Sequence, residues 1–204
     1  MKKSSLAVFL LLGAFVACST TGGSEAKALF NGRNLAGWVV LHGGEWTVED
    51  GVLIGRNGTN WSTNPELSGS WLSTEKEYGN FVLELEYAIN QGGNSGIFFR
   101  SAREKNPAFT GYEMQVVADP GRQPTKGSAG SLYAVVPAKK NMSKPPGEWN
   151  HVKIVAEGRR VQIFWNGELT VDHETDRSLK GYLGLQNHDA KSVVKFRNIR
   201  ITES

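Results

Sequence analysis

From Phe81 to Ile89 apolar and polar residues alternate: Phe81, Leu83, Leu85, Tyr87 and Ile89 fall on one side of an extended chain, Glu84 and Glu86 on the other. Period two over such a run predicts a strand with one buried face. The stretch GGNSGIFFR, a polar connection and GYEMQVVAD repeat the pattern between Gly92 and Asp119. There Tyr112, Met114 and Val116 share one face, and Glu113, Gln115 and Asp119 the other; Ile97 and Phe99 oppose Phe98 and Arg100. Residues 46–55 are apolar on either side of Asp50-Gly51, a hairpin signal. Further strands are predicted from Trp71, over Ser131–Val136, and in a closing meander. The meander comprises Asn150–Ala156, Val161–Trp165, a turn at Asn166-Gly167 into Glu168–Val171, Tyr182–His188, and Val193–Thr202. In Tyr182–His188, Leu183 and Leu185 oppose Gln186 and His188. Residues 57–70, 102–111, 120–131 and 139–147 read as loops, rich in Gly, Pro, Ser, Asn and Lys. No long run recurs at three-to-four spacing, so the chain is expected to be all-β: a two-sheet antiparallel β-sandwich or jelly roll.

The 204 residues suffice for one domain, and 24 Gly with 6 Trp suit many strands and tight turns. Two of the +3 formal charges belong to Lys2 and Lys3, and no basic stripe points to nucleic acid. The lone cysteine, Cys18, excludes an intramolecular disulfide and has a context of its own. A positive Met1-Lys2-Lys3, a short apolar run from Leu6 to Val16, and Phe15-Val16-Ala17-Cys18 form a lipobox-like leader. The expectation is a signal peptide over 1–17, a lipidated Cys18, a polar tether over 18–27 and a domain over 28–204. Ser19 after the cysteine reads as an outer-membrane signal. The chain is therefore expected in the bacterial envelope, lipid-anchored in the outer membrane and facing the periplasm. A plain secretory signal with an incidental Cys18 is the alternative.

If the runs ending at Arg100 and starting at Tyr112 pair, Arg100, Glu113 and Gln115 share a sheet surface. That is either a polar site or the solvated face of an ordinary sandwich.

The segments LFNGRNLAGW, WTVEDGVL, YGNFVLELEY, GGNSGIFFR, GYEMQ, GSLY, PPGEWN, Trp165-Asn166-Gly167, LQNH and FRNIRI together resemble the 3-keto-disaccharide hydrolase domain family. The resemblance covers roughly residues 29–203. It implies a concanavalin A-like jelly roll with a concave sugar-binding face and a carbohydrate substrate, a 3-keto-glycoside. Asp189 stands where relatives often carry glycine.

A retaining glycosidase needs two carboxyls about 5–5.5 Å apart. Gln115 and Val117 occupy i+2 and i+4 from Glu113, and Asp119 lies ~20 Å along a strand, so Glu113 has no local carboxylate partner. A 3-keto sugar needs only a base for the C2 proton, a group that stabilises the enolate, and a proton donor for the leaving group. The resemblance then implies Glu113 as base or metal ligand, Arg100 as enolate stabiliser or substrate anchor, and His188 as acid/base or metal ligand. Gln115, Gln186, Asn94 and Tyr133 are candidate hydroxyl partners, and Trp61 and Trp71 candidate stacking surfaces for a sugar ring. A divalent metal on Glu113 and His188 stays open, since no tightly spaced ligand motif is present. A sugar 3-oxidoreductase is the expected functional partner, as no nucleotide-binding pattern occurs in this chain. A non-catalytic carbohydrate-binding module and an envelope protein without a sugar site are the rival readings.

Overall fold

The computed structural model describes residues 25–203. Its strands are, in chain order, β1 (Lys27–Ala28), β2 (Trp38–Leu41), β3 (Glu45–Glu49), β4 (Val52–Arg56), β5 (Trp71–Tyr78), β6 (Phe81–Ile89), β7 (Asn94–Ser101), β8 (Tyr112–Val117), β9 (Asn150–Glu157), β10 (Arg160–Trp165), β11 (Glu168–Glu174), β12 (Gly181–Gln186) and β13 (Val194–Glu203); a single helical turn, α1 (Pro107–Thr110), joins β7 to β8. They form two antiparallel sheets. The larger runs β11-β10-β9-β6-β13-β4-β3, with β1 paired to β13, and the smaller runs β2-β5-β12-β7-β8. The chain is thus the all-β, two-sheet antiparallel sandwich that the alternation predicts.

The same alternation decides which faces meet. Leu83, Leu85 and Tyr87 of β6, Ile97 and Phe99 of β7, Met114 and Val116 of β8 and Leu183 and Leu185 of β12 all enter one buried core between the sheets. Truncating any of these large side chains to alanine would cost about 2–5 kcal/mol. Glu84 and Glu86 lie on the opposite side of the larger sheet, near Lys153 and Arg197 respectively. The Asp50-Gly51 turn closes β3 on β4 with both residues at positive φ, as a tight hairpin requires.

Three local expectations need correction. Residues 131–136 do not make a strand. Leu132 forms isolated bridges to Met114 and Val136, because the chain doubles back through Ala134 at φ 59°. Residues 102–111 are not all loop: the Asn106 side chain accepts from the Ala108 N–H and Pro107 opens α1, a cap-and-proline start that nucleates one turn. Lys27, taken as the tether's last residue, pairs with Ile201 in the larger sheet. The leader and Cys18 lie outside the described residues.

Candidate functional site

The outer face of the smaller sheet carries the polar residues. Phe98 of β7 stands opposite Glu113 of β8, Gly96 opposite Gln115, and Gly184 of β12 opposite Phe98. One step on along the β7–β12 ladder, Gln186 reaches the level of Gly96, and Gln186 in turn pairs with Trp71 of β5. A Cβ on Gly96 would overlap the Glu113 carboxylate, and one on Gly184 would overlap the Trp71 indole. Both glycines are therefore sockets, where the missing side chain lets a neighbour lie across the strand. Glu113 folds over Gly96, so its carboxyl sits in a row between the amides of Gln115 and Gln186.

Two covering segments turn this row into a cleft of about 140 Å³. Trp61, Ser62 and Thr63 come from the 57–70 loop, and Ala108 and Phe109 from α1. Asn106 fastens these walls together, donating from Nδ2 to the Ser62 carbonyl at 3.0 Å while it caps the helix. The Trp61 indole N–H donates to the carbonyls of Ser70 and Asn187, at 3.1 and 2.9 Å. That bond pins the loop to the end of β12. The Trp61 ring lies parallel to His188, with centroids 6.4 Å apart and planes at 4°.

Glu113 is 3% exposed, and burial with no cation beside it pushes its carboxyl well above the usual carboxylate range. Its Oε1, the Oδ1 of Asn94 and the Oε1 of Gln186 are buried without a hydrogen-bond partner within the protein. Leaving such groups unmade costs about 1–3 kcal/mol each, so three such atoms around one cleft make it the candidate binding site. Gln115 differs: its Oε1 already accepts from the Val116 N–H at 3.1 Å, which leaves its amide nitrogen as the end free to donate. Burial, and then the nearby Glu113 charge, raise the Tyr133 hydroxyl, which therefore stays a donor. His188 keeps about a third of its side chain in solvent, and its Nδ1 lies 3.0 Å from Asp189 Oδ2.

Of the side chains expected from sequence, the fold brings Glu113, His188, Asn94, Gln115, Tyr133, Gln186 and Trp61 to one cleft. Two do not join them. Arg100 is 1% exposed, and its guanidinium donates to the carbonyls of Gly79 at 2.9 Å and Gly158 at 2.7 Å and to Asn80 Oδ1. The reason is a β-bulge: Tyr182 pairs with Ser101 and Gly184 with Phe98, so Leu183 alone opposes both Phe99 and Arg100. Arg100 takes φ 53° in that bulge, which breaks the alternation and re-aims the side chain. Trp71 is fully buried, edge-on to Phe98 at 5.5 Å, so it supports the cleft floor and offers no surface to a sugar.

The sequence reading missed Asn106 and Phe109, although the Asn106-Pro107 pair is a helix-start signature. Among the described residues no three of His, Cys, Asp and Glu gather closely enough to ligate a metal. Glu113 and His188 share the cleft without a third such group.

Residues 25–202 match the 3-keto-alpha-glucoside-1,2-lyase-like domain family. A 3-keto-disaccharide hydrolase of Bacteroides thetaiotaomicron is 28% identical, over 85% of this chain and 76% of that protein. A Parabacteroides distasonis protein described as a candidate glycosyl hydrolase superimposes with TM-score 0.72 at 27% identity, over 88% of this chain and 94% of its own. The carbohydrate-binding module CBM66 of Bacillus subtilis shares the fold, with TM-score 0.59 at 21% identity, over 82% of this chain and 96% of the module.

Proposed function

The chain belongs to the 3-keto-alpha-glucoside-1,2-lyase-like domain family, and from that premise we propose that it cleaves 3-keto-disaccharides or related 3-keto-glycosides by elimination and hydration. The observation that carries this reading is the single buried carboxyl of the cleft. Displacement at the anomeric carbon uses two carboxyls, about 5–5.5 Å apart when configuration is retained and about 6.5–9.5 Å apart when it is inverted. Glu113 is the one carboxyl among the described residues that line the cleft.

A ketone at C3 removes the need for the second. It acidifies the C2 proton; a base takes that proton, and the electron pair enters the enolate. The enolate then expels the C1 oxygen, which leaves protonated as an alcohol, and an enone remains. Water adds back, hydroxyl to C1 and proton to C2, so one water is consumed and a free 3-keto sugar is released.

The environments divide the roles. Burial without a partner favours the protonated form of Glu113, which gives it the role of acid for the leaving group, in place of the base expected from sequence. His188, with about a third of its side chain in solvent, is the base. With Arg100 elsewhere, the Tyr133 hydroxyl and the Gln115 amide stabilise the enolate oxygen. Asn94 and Gln186 accept from sugar hydroxyls, and Trp61 faces the ring. The lipobox supports a mature chain anchored through Cys18 in the outer membrane and facing the periplasm, fed by a sugar 3-oxidoreductase.

The test is mass spectrometry of the purified full chain with a 3-keto-disaccharide in D₂O, with and without chelator. Release of the free sugar with one deuterium fixed at C2 is expected. Glu113→Gln should lose about 10²–10⁴-fold in turnover, the usual worth of acid–base help, while retaining binding. Saturable binding with no product from the wild type overturns the enzyme reading in favour of a binding module.

A further inference from the structure

Asp189, the chain neighbour of the cleft's His188, also touches that residue's ring. Asp189 is held on one side by three donors to Oδ1: the Lys191 N–H at 3.1 Å, the Ser192 N–H at 2.9 Å and the Ser192 hydroxyl at 2.7 Å. Its other oxygen, Oδ2, lies 3.0 Å from His188 Nδ1. The Ser192 hydroxyl also accepts from the Asn94 N–H at 2.9 Å. One short network therefore ties Asp189 to two cleft residues, His188 just beyond the end of β12 and Asn94 at the start of β7.

We infer that Asp189 is a positioning residue, which holds His188 in the Nδ1–H tautomer and leaves Nε2 as the free nitrogen of a ring that lines the cleft. The assignment follows from donor and acceptor counting. An ionised carboxylate only accepts, so the nitrogen facing it must carry the proton. Burial pulls the Asp189 carboxyl up, but the Ser192 and His188 hydrogen bonds outweigh it and keep the group below the ordinary carboxylate range. The Trp61 indole lies stacked parallel to the same ring. A neutral imidazole so held has its lone pair on Nε2, the form that abstracts a proton. A glycine in place of Asp189 would leave the tautomer to the solvent.

The inference rests on His188 acting as the base, and its test separates the two claims. Two-bond ¹H–¹⁵N spectra of the full chain read each histidine's tautomer, with His188 assigned through His188→Gln. Wild type is expected to show Nδ1–H. In Asp189→Asn the three donors hold the amide oxygen where Oδ1 was, so the NH₂ group faces His188. Nδ1 must then accept, and the proton moves to Nε2. In Asp189→Ala the ring is released and both tautomers appear. On a 3-keto-disaccharide, kcat should fall about 10²-fold in Asp189→Asn, the lower end of the span of general acid–base effects, and by less, about 10-fold, in Asp189→Ala, with KM changed less than about twofold in each. The asparagine variant, closer in shape, is thus expected to be the worse enzyme, an order that a purely structural role would reverse. An Nε2–H wild type, or an Asp189→Asn spectrum like wild type, overturns the positioning role. A flipped tautomer with unchanged kcat overturns its link to catalysis. If wild type turns over no 3-keto sugar, the spectra still decide the tautomer, and the failure belongs to the proposed function.

Discussion

At the scale of single residues, Glu113 is the position where stability and the proposed function oppose each other. An ionised carboxylate there has no cation and no donor at Oε1, and its neutral form is favoured only because burial penalises charge. The linkage has a definite sign. A carboxyl whose folded pKa is raised binds more protons folded than unfolded. Stability is therefore full below the unfolded value near 4.5 and declines as pH rises toward the folded value. Glu113→Gln removes the ionisation. The variant is expected to melt higher than wild type at neutral pH, with the gain shrinking toward pH 4. Each kcal/mol relieved is worth about 2–4 °C in a domain of this size. Differential scanning fluorimetry from pH 4 to pH 8 checks this; a variant that melts lower throughout would mean that the carboxylate has a stabilising partner.

At the scale of elements, the strands that bury one face were legible, and departures from period two were not. The alternations in β6, β8 and β12 assigned core and outer faces correctly, since a one-residue slip would send every apolar side chain to the wrong side. Arg100 was misplaced because its bulge is a property of pairing with β12, 80 residues downstream, and not of any local pattern. Trp71 does lie on the outer face, but no signal in β5 told that the 57–70 loop and α1 would cover that face. The glycine sockets escaped for the same reason: Gly96 and Gly184 matter through what lies over them from neighbouring strands. The bulge gives a test of its own. Arg100 links β7 to the Gly79–Asn80 turn before β6 and to Gly158 beyond β9, across both sheets at one end of the sandwich. Hydrogen bonds from a charged donor contribute about 1.5–3 kcal/mol each. Arg100→Met is expected to lose about 3 kcal/mol or more in urea unfolding. Its kcat below the new melting point should stay within about twofold of wild type. A folded variant with kcat lost would return Arg100 to the chemistry.

At the scale of the whole molecule, the chain enters the fold on one sheet and the cleft opens on the other. β1 pairs with β13 in the larger sheet, whereas the cleft lies on the outer face of the smaller one. Residues 18–26, at about 3.3–3.6 Å each, span at most roughly 30 Å. A lipid on Cys18 would therefore hold the domain near the membrane through the sheet that does not carry the cleft. Anchoring and catalysis should then be separable. Wild-type chain expressed in a Gram-negative host is expected in the outer-membrane fraction, labelled by radioactive palmitate. Cys18→Ala should appear in the soluble periplasm, unlabelled, with kcat/KM on a soluble 3-keto-disaccharide within about twofold of wild type. Unlabelled, soluble wild type would identify the leader as a plain secretory signal with an incidental cysteine. A released variant that folds but has lost kcat/KM would mean that the membrane contributes to the cleft, contrary to the separation of the two sheets.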